Sequence, residues 1–202
     1  MKIGLFGGTF DPIHVGHLIL AEQVREVFEL NKVIFIPSSS PPHKNAKDIT
    51  PASLRLKMVE LAIQGNDFFE ISTIELDRSN PSYSIDTVKE FRKKHSIDSL
   101  FFIVGTDSLF EMHAWYKVDE LVKLCQFIYV YRPGFSIQGK SGKDLRLDVE
   151  TFNDLTRHSV KIAPMGVSST EIRMRIAERR SIRYLVPNGV LKFIENEGLY
   201  KS

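Results

Sequence analysis

Two periodicities alternate along the chain. Ile3–Phe6, Val33–Ile36, Phe69–Ile74, Leu100–Val104 and Phe127–Tyr131 are short apolar runs with little polar alternation. Runs of that kind predict strands buried on both faces. Between them the apolar positions recur every three or four residues. In His17–Phe28, Leu18, Ala21, Val24, Val27 and Phe28 share one side of a predicted helix, and Glu22, Arg25 and Glu26 take the other. A second helix is predicted from Pro51, at a position where the missing N–H of proline does no harm. A third runs to His95, with Ser84 or Asp86 as its cap. A last short strand at Val160–Ala163, a helix at Ser168–Arg179 and a C-terminal helix at Val190–Glu197 complete the set. Strand, helix and strand repeated in this order predict an α/β fold with a doubly wound, mostly parallel sheet and right-handed crossovers.

Two stretches break the rhythm. Ser38–Thr50, which contains Pro41 and Pro42, is a loop directly after the second strand, where an open parallel sheet places ligand-facing loops. Gly134–Asp154 is polar, Gly-rich at its start, and reads as a mobile excursion. No repeat and no linker-like segment divides the chain, so residues 1–202 are expected to form one domain, helical from about 165 to 202.

Composition removes several classes of function. Of the 202 residues, 43% are hydrophobic and 26% charged, as in ordinary globular proteins, and no apolar run reaches the length of a membrane span. The start lacks the basic and long apolar stretches of a secretory signal. Cys125 is the only cysteine, which leaves no internal disulfide and no cysteine-based metal site; it is expected to be core packing in a protein of the reducing cytoplasm. A net charge of +2 supplies no basic footprint for a nucleic-acid polymer, and clusters such as Arg92-Lys93-Lys94 and Arg179-Arg180 read as solvated helix faces.

Chemistry concentrates in the first βα turn, Gly7-Gly8-Thr9-Phe10-Asp11-Pro12-Ile13-His14-Val15-Gly16-His17. Gly7 and Gly8 allow close backbone approach to a ligand. The helix that starts near His14 turns its unpaired N–H groups and the positive end of its dipole toward the same place, which suits phosphate oxygens. His14 and His17, three apart, share a face, and Gly16 between them is read as keeping that face open. Asp11 with the two histidines also allows a metal site, and hence a metal-dependent hydrolase. Ser168 is suited to cap the helix that follows it.

The stretch from Gly7 to His17 resembles the signature of the nucleotidylyltransferase superfamily, and Ser168-Ser169-Thr170-Glu171-Ile172-Arg173 resembles its C-terminal signature. The chain is most similar to the bacterial nicotinate-nucleotide adenylyltransferase family, almost from end to end. The likeness passes through Phe35-Ile36-Pro37, Pro41-Pro42-His43-Lys44, Pro81-Ser82-Tyr83-Ser84-Ile85-Asp86-Thr87, Gly105-Thr106-Asp107, Trp115, Arg132-Pro133-Gly134 and Ser181 to Pro187. It implies a Rossmann-like nucleotidylyltransferase fold in which His14, His17 and Arg173 act on the reacting phosphates. Gly7, Gly8, Thr9, Phe10, Lys44, Gly105, Asp107, Arg132, Ser168 and Ser169 would bind ATP. Trp115 would stack on a pyridine ring whose carboxylate meets backbone amides near Tyr83, Ser84 and Tyr116. The family usually has Gly where this chain has Asn80, Thr at Ser84 and often Pro at His113.

The activity so implied is transfer of AMP from ATP to nicotinate mononucleotide, by in-line attack of the substrate phosphate and without a covalent intermediate, in NAD biosynthesis. ATP with Mg²⁺ and nicotinate mononucleotide are the expected partners, and a homo-oligomer is compatible with the resemblance. Other readings are an adenylyl- or cytidylyltransferase with a different phosphate acceptor, such as phosphopantetheine, and a nucleotide-binding module without turnover.

Overall fold

The computed structural model describes residues 1–39, 49–78, 82–131, 137–161 and 166–201. Among these residues six strands form one sheet: β1 (Lys2–Gly8), β2 (Lys32–Pro37), β3 (Phe69–Ile71), β4 (Ser99–Gly105), β5 (Gln126–Val130) and β6 (His158–Val160). Their order is β3-β2-β1-β4-β5-β6, and every adjacent pair is parallel. The helices are α1 (Val15–Val27), α2 (Ala52–Ile63), α3 (Ser84–Lys94), α4 (Thr106–Glu111), α5 (Val118–Leu124), α6 (Val149–Thr156), α7 (Ser169–Ala177) and α8 (Asn188–Glu197).

Alternation within the buried strands divides the core into two layers. Leu5, Ile34, Ile36, Phe102, Val104 and Phe127 face α3 and α5, through Ile85, Val88, Phe91 and Leu121. Phe6, Val33, Phe35, Phe101, Ile103 and Ile128 face α1, α2 and α8, through Leu20, Val24, Met58 and Ile194. Side chains such as Ile3, Leu5 and Phe35 are fully buried, each stabilising the fold by about 1.5–3 kcal/mol relative to exposure. Cys125 belongs to the first layer, where burial pushes its thiol up to about 12 and suits it to packing.

The doubly wound parallel sheet is the one the periodicities predict, with local differences that have physical causes. The third strand stops at Ile71, because Leu76 and Asp77 donate their amides to the Thr73 carbonyl (2.7 and 3.0 Å) and close a turn. Ile74 stays in the core from that turn. Helix α3 begins with Tyr83 in the cap position and no side-chain cap, so neither Ser84 nor Asp86 plays that part. The described part of the expected excursion is structured: a 3₁₀ turn at Gly142–Leu145 leads into α6, which Asp148 caps by accepting from the Thr151 amide at 2.9 Å. Its polar start masks Leu145, Leu147 and Leu155, all buried. Arg92 is no solvated side chain either, for its guanidinium donates to the Leu124 and Asp98 carbonyls.

Candidate active site

Strand order reverses between β1 and β4, where crossovers leave toward opposite faces and a crevice opens beyond the carboxyl ends of the strands. A cavity of about 540 Å³ occupies this position, within the usual size of ligand sites. Its walls bring together residues distant in sequence: Gly7–Phe10 and His17 from the first turn, Gly105 at the end of β4 and Asp107 just beyond it, Ser169 at the start of α7, and Tyr83, Ser84, Trp115 and Tyr116 at the other end.

The first turn is held in an unusual backbone shape. Phe10 has φ +50°, a left-handed conformation that costs a residue with a side chain about 1–2 kcal/mol. Burial of its ring offsets that cost: Phe10 packs at 5.7 Å from Phe6, 5.8 Å from Phe35 and 5.2 Å from His17. Gly8 lies against that ring, and a Cβ there would come within 2.9 Å of it. A Cβ on Gly7 would meet only Phe102, at 3.7 Å, so the described protein sets no steric demand for glycine there.

The two histidines stack, with ring centroids 3.7 Å apart and planes 25° from parallel. His17 Nδ1 accepts the His14 backbone N–H at 3.3 Å, the reach-back half of a capping box. With Nδ1 accepting, the neutral ring carries its proton on Nε2. His14 is buried behind His17 and is absent from the cavity wall. Gly16 serves this stack: a Cβ there would lie 3.0 Å from His14 Nδ1 and 3.3 Å from Val167. A side chain there would crowd the neighbouring imidazole, a second use for glycine beside the open face the sequence suggests.

The C-terminal helices clamp the turn. Ser168 caps α7 by accepting from the Glu171 amide at 3.1 Å, as its position suggests. Ser169 Oγ donates to the Pro12 carbonyl at 2.9 Å, and Arg173 Nη1 to the Asp11 carbonyl at 2.7 Å. Tyr200 donates its hydroxyl to Asp11 Oδ1 at 2.6 Å, and the Thr50 amide donates to Oδ2 at 3.3 Å. Burial and then the Asp11 carboxylate hold the Tyr200 phenol far above its ordinary range. Asp11 therefore serves the clamp, and among the described residues no three His, Cys, Asp or Glu side chains are gathered as a metal site. Ser168 and Arg173 stand beside the cavity and are not in its wall. Lys44 and Arg132 lie outside the described residues.

At the far end Trp115 lines the cavity and packs edge-on against Phe102, ring centroids 6.1 Å apart. It is partly buried against the core as well, so the two uses of a lone tryptophan coexist. Tyr83 and Tyr116 face each other at 4.8 Å.

Sequence reasoning missed Glu75, Ser38 and Arg55. Glu75 and Ser38 line the cavity. Arg55 is fully buried, and its guanidinium donates to the carbonyls of Thr9 (2.7 Å), Ser38 (2.8 Å), Thr50 (2.9 Å) and Ser39 (3.2 Å). It ties the loops after β1 and β2 to the start of α2. An arginine inside the apolar pattern of a predicted helix was the available signal.

A parallel sheet in this order, with a Gly-Gly turn and a helix start aimed at its switch-point crevice and a second helix start on the crevice wall, defines an α/β protein of nucleotidylyltransferase type. Comparison with known proteins carries this further. The cytidylyltransferase-like family model matches residues 5–175. The nicotinate-nucleotide adenylyltransferase of Bacillus subtilis (strain 168) is 42% identical over 201 residues, covering 100% of this chain and 99% of that protein. A protein of Thermoanaerobacter sp. (strain X514) named "Probable nicotinate-nucleotide adenylyltransferase" is 43% identical over 209 residues, covering 100% and 95%. Among solved structures, Plasmodium falciparum nicotinic acid mononucleotide adenylyltransferase complexed with NaAD superposes with a TM-score of 0.79 at 18% identity, covering 98% of this chain and 97% of the other. That likeness is one of fold. The chain belongs to the cytidylyltransferase-like family and, within it, to the nicotinate-nucleotide adenylyltransferases.

Proposed function

We propose that the protein transfers AMP from ATP to nicotinate mononucleotide, yielding nicotinate adenine dinucleotide and pyrophosphate in NAD biosynthesis. The observation that carries this reading is that one continuous crevice lies at the sheet's switch point. It joins a phosphate-type turn and helix start, with His17, to an aromatic end built from Tyr83, Trp115 and Tyr116. Its two ends suit the two halves of a dinucleotide, and the 42–43% identical relatives carry the name of this activity.

The acceptor phosphate oxygen attacks the α-phosphorus of ATP as the bond to the β-phosphate oxygen breaks, and pyrophosphate leaves with that bonding pair. The attacking oxygen is already an anion, so the chain needs no nucleophile of its own; its work is alignment and neutralisation of charge. Gly7–Phe10 and the start of α1 offer backbone amides to the triphosphate. His17 donates from Nε2 to a phosphate oxygen whose charge grows in the transition state, and His14 supports the ring from behind. Ser169 and Arg173, from the clamp, turn to the β- and γ-phosphates, with Lys44 and Arg132 supplying further positive charge. Asp107 accepts from a ribose hydroxyl. Trp115 covers the pyridine ring, and the amides near Ser84 and Tyr116 receive its carboxylate.

The turn offers backbone amides and the His17 ring to the crevice, and its carboxylate, Asp11, is engaged by Tyr200 and Thr50, which fits Mg²⁺ held by the phosphate oxygens of ATP and by water more than by a protein cage. When bound, it neutralises charge on the leaving pyrophosphate. Residues 1–202 act as one domain in this reading, and the site has the two small molecules as its partners.

The test is pyrophosphate release from ATP and Mg²⁺ with either nicotinate or nicotinamide mononucleotide. Release is expected with both, and kcat/KM should favour the acid by at least about tenfold, the value of one well-placed carboxylate interaction. Release that requires a different acceptor, such as phosphopantetheine, would replace this reading.

A further inference from the structure

The pyridine end of the crevice contains a carboxyl group that the transfer itself does not use. Glu75 sits in the turn after β3, is 7% exposed, and lines the cavity with Ser82, Tyr83, Ser84 and Trp115. Its surroundings are built. Thr87 Oγ1 donates to Glu75 Oε1 at 2.8 Å, Arg78 Nη1 donates to Thr87 Oγ1 at 3.0 Å, and Ser82 Oγ donates to the Glu75 carbonyl at 3.3 Å. These contacts fix the carboxyl against the first turn of α3, where Tyr83 and Ser84 lie.

We propose that Glu75 sets the acceptor preference of the site: neutral, it admits the nicotinate carboxylate, and ionised, it opposes that carboxylate while tolerating the uncharged amide of nicotinamide. The inference rests on the adenylyl-transfer reading above and deepens it. A carboxylate buried in the crevice wall and a substrate carboxylate bound beside it repel, because buried surroundings screen them less than water does. A neutral Glu75, still accepting from Thr87 on Oε1, offers a hydroxyl donor on its other oxygen.

The charges around Glu75 decide how it titrates. Arg78 approaches from the same turn and is engaged by Glu90 of α3, to which its Nε donates at 2.8 Å. Asp86 also lies on α3. Across the cavity stand Asp107 and Glu111 of α4, and Tyr116, with Lys117 beside it paired to Glu120 at 3.0 Å. Arg78 is thus the one cation near the carboxyl among the described residues. Burial outweighs both it and the Thr87 hydrogen bond, and pushes Glu75 up to about 7. The sign follows: nicotinate is accepted best below that value and progressively less above it.

The experiment is the ratio of kcat/KM for nicotinate mononucleotide to that for nicotinamide mononucleotide, measured from pH 6 to 8.5. The pyridinium, the substrate phosphate, ATP and the histidines are common to both acceptors and cancel in the ratio. The ratio is expected to fall by about tenfold across pH 7, the effect of roughly one unit of interaction between the two carboxylates. Glu75→Gln, which preserves volume and can still accept from Thr87, should give a flat ratio that favours the acid throughout. Thr87→Val removes the donor that stabilises the ionised form and should move the midpoint upward. A flat ratio in the wild-type enzyme, or an unchanged slope in Glu75→Gln, overturns the proposal while turnover leaves the transfer reaction standing. No turnover of either acceptor by the wild-type protein overturns the reaction and the proposal together.

Discussion

Replacing His17 with alanine is expected to lower kcat by about 10²–10³-fold, the usual cost of removing one preorganised donor to a developing oxyanion. The dissociation constant for ATP should change by less than about threefold, since a group that acts on the transition state contributes little to ground-state binding. The His17 ring lies in the cavity wall, with Nδ1 engaged by the His14 amide at 3.3 Å and its face covered by the His14 ring at 3.7 Å. Phe10, at 5.2 Å, bounds it edge-on. A ring so fixed points one N–H with little freedom, and its orientation is settled before substrate arrives. Steady-state kcat together with equilibrium ATP binding checks this; equal losses in the two would assign His17 to ground-state binding.

The largest expected effect on stability comes from Arg55→Met. The guanidinium is fully buried, and four carbonyls, those of Thr9, Ser38, Ser39 and Thr50, accept from it. Burial pulls its pKa down, partly countered by the charge of Asp11 and by Tyr200. Methionine fills much of the volume and leaves those carbonyls without their donor, a loss of about 3–5 kcal/mol from a total stability of about 5–15 kcal/mol. At about 2–4 °C per kcal/mol for a chain of this size, Tm should fall by roughly 6–20 °C. Arg55→Lys should recover only part of the loss, because an ammonium cannot reach all four acceptors. Calorimetry or denaturant titration measures it, and a change under about 1 kcal/mol would mean that water or neighbouring donors replace the guanidinium.

Much of this architecture is legible in the sequence because its signals are local. Apolar runs such as Val33–Ile36 have few alternatives to a buried strand, and Gly7-Gly8 before His14 and His17 marks, within eleven residues, the turn that lines the crevice. Other features depend on partners far along the chain. Asp11 leaves a metal site open as one alternative in the sequence, and its engagement by Tyr200, 189 positions away, shows only in the fold. Gly16 carries a second constraint, the His14 ring against it, that only the fold displays. Glu75 appears in sequence as one more acidic residue, and acquires meaning only when the turn after β3 carries it into the crevice wall beside Tyr83 and Trp115. Arg55 shows the same limit: helical spacing puts it among buried positions, but the carbonyls that justify its burial belong to loops after two different strands. Helix α6 was hidden differently, since a polar entry masks a short amphipathic stretch.

The central claim is that the α-phosphoryl group of ATP, with its adenosine, moves to nicotinate mononucleotide. It is tested most directly by following label from ATP in the presence of Mg²⁺ and that acceptor. Label at the α-phosphate should appear in nicotinate adenine dinucleotide and label at the γ-phosphate in pyrophosphate, in equal amounts. Label from the α-phosphate released as free AMP, with no dinucleotide formed, would contradict the account and make the protein a hydrolase.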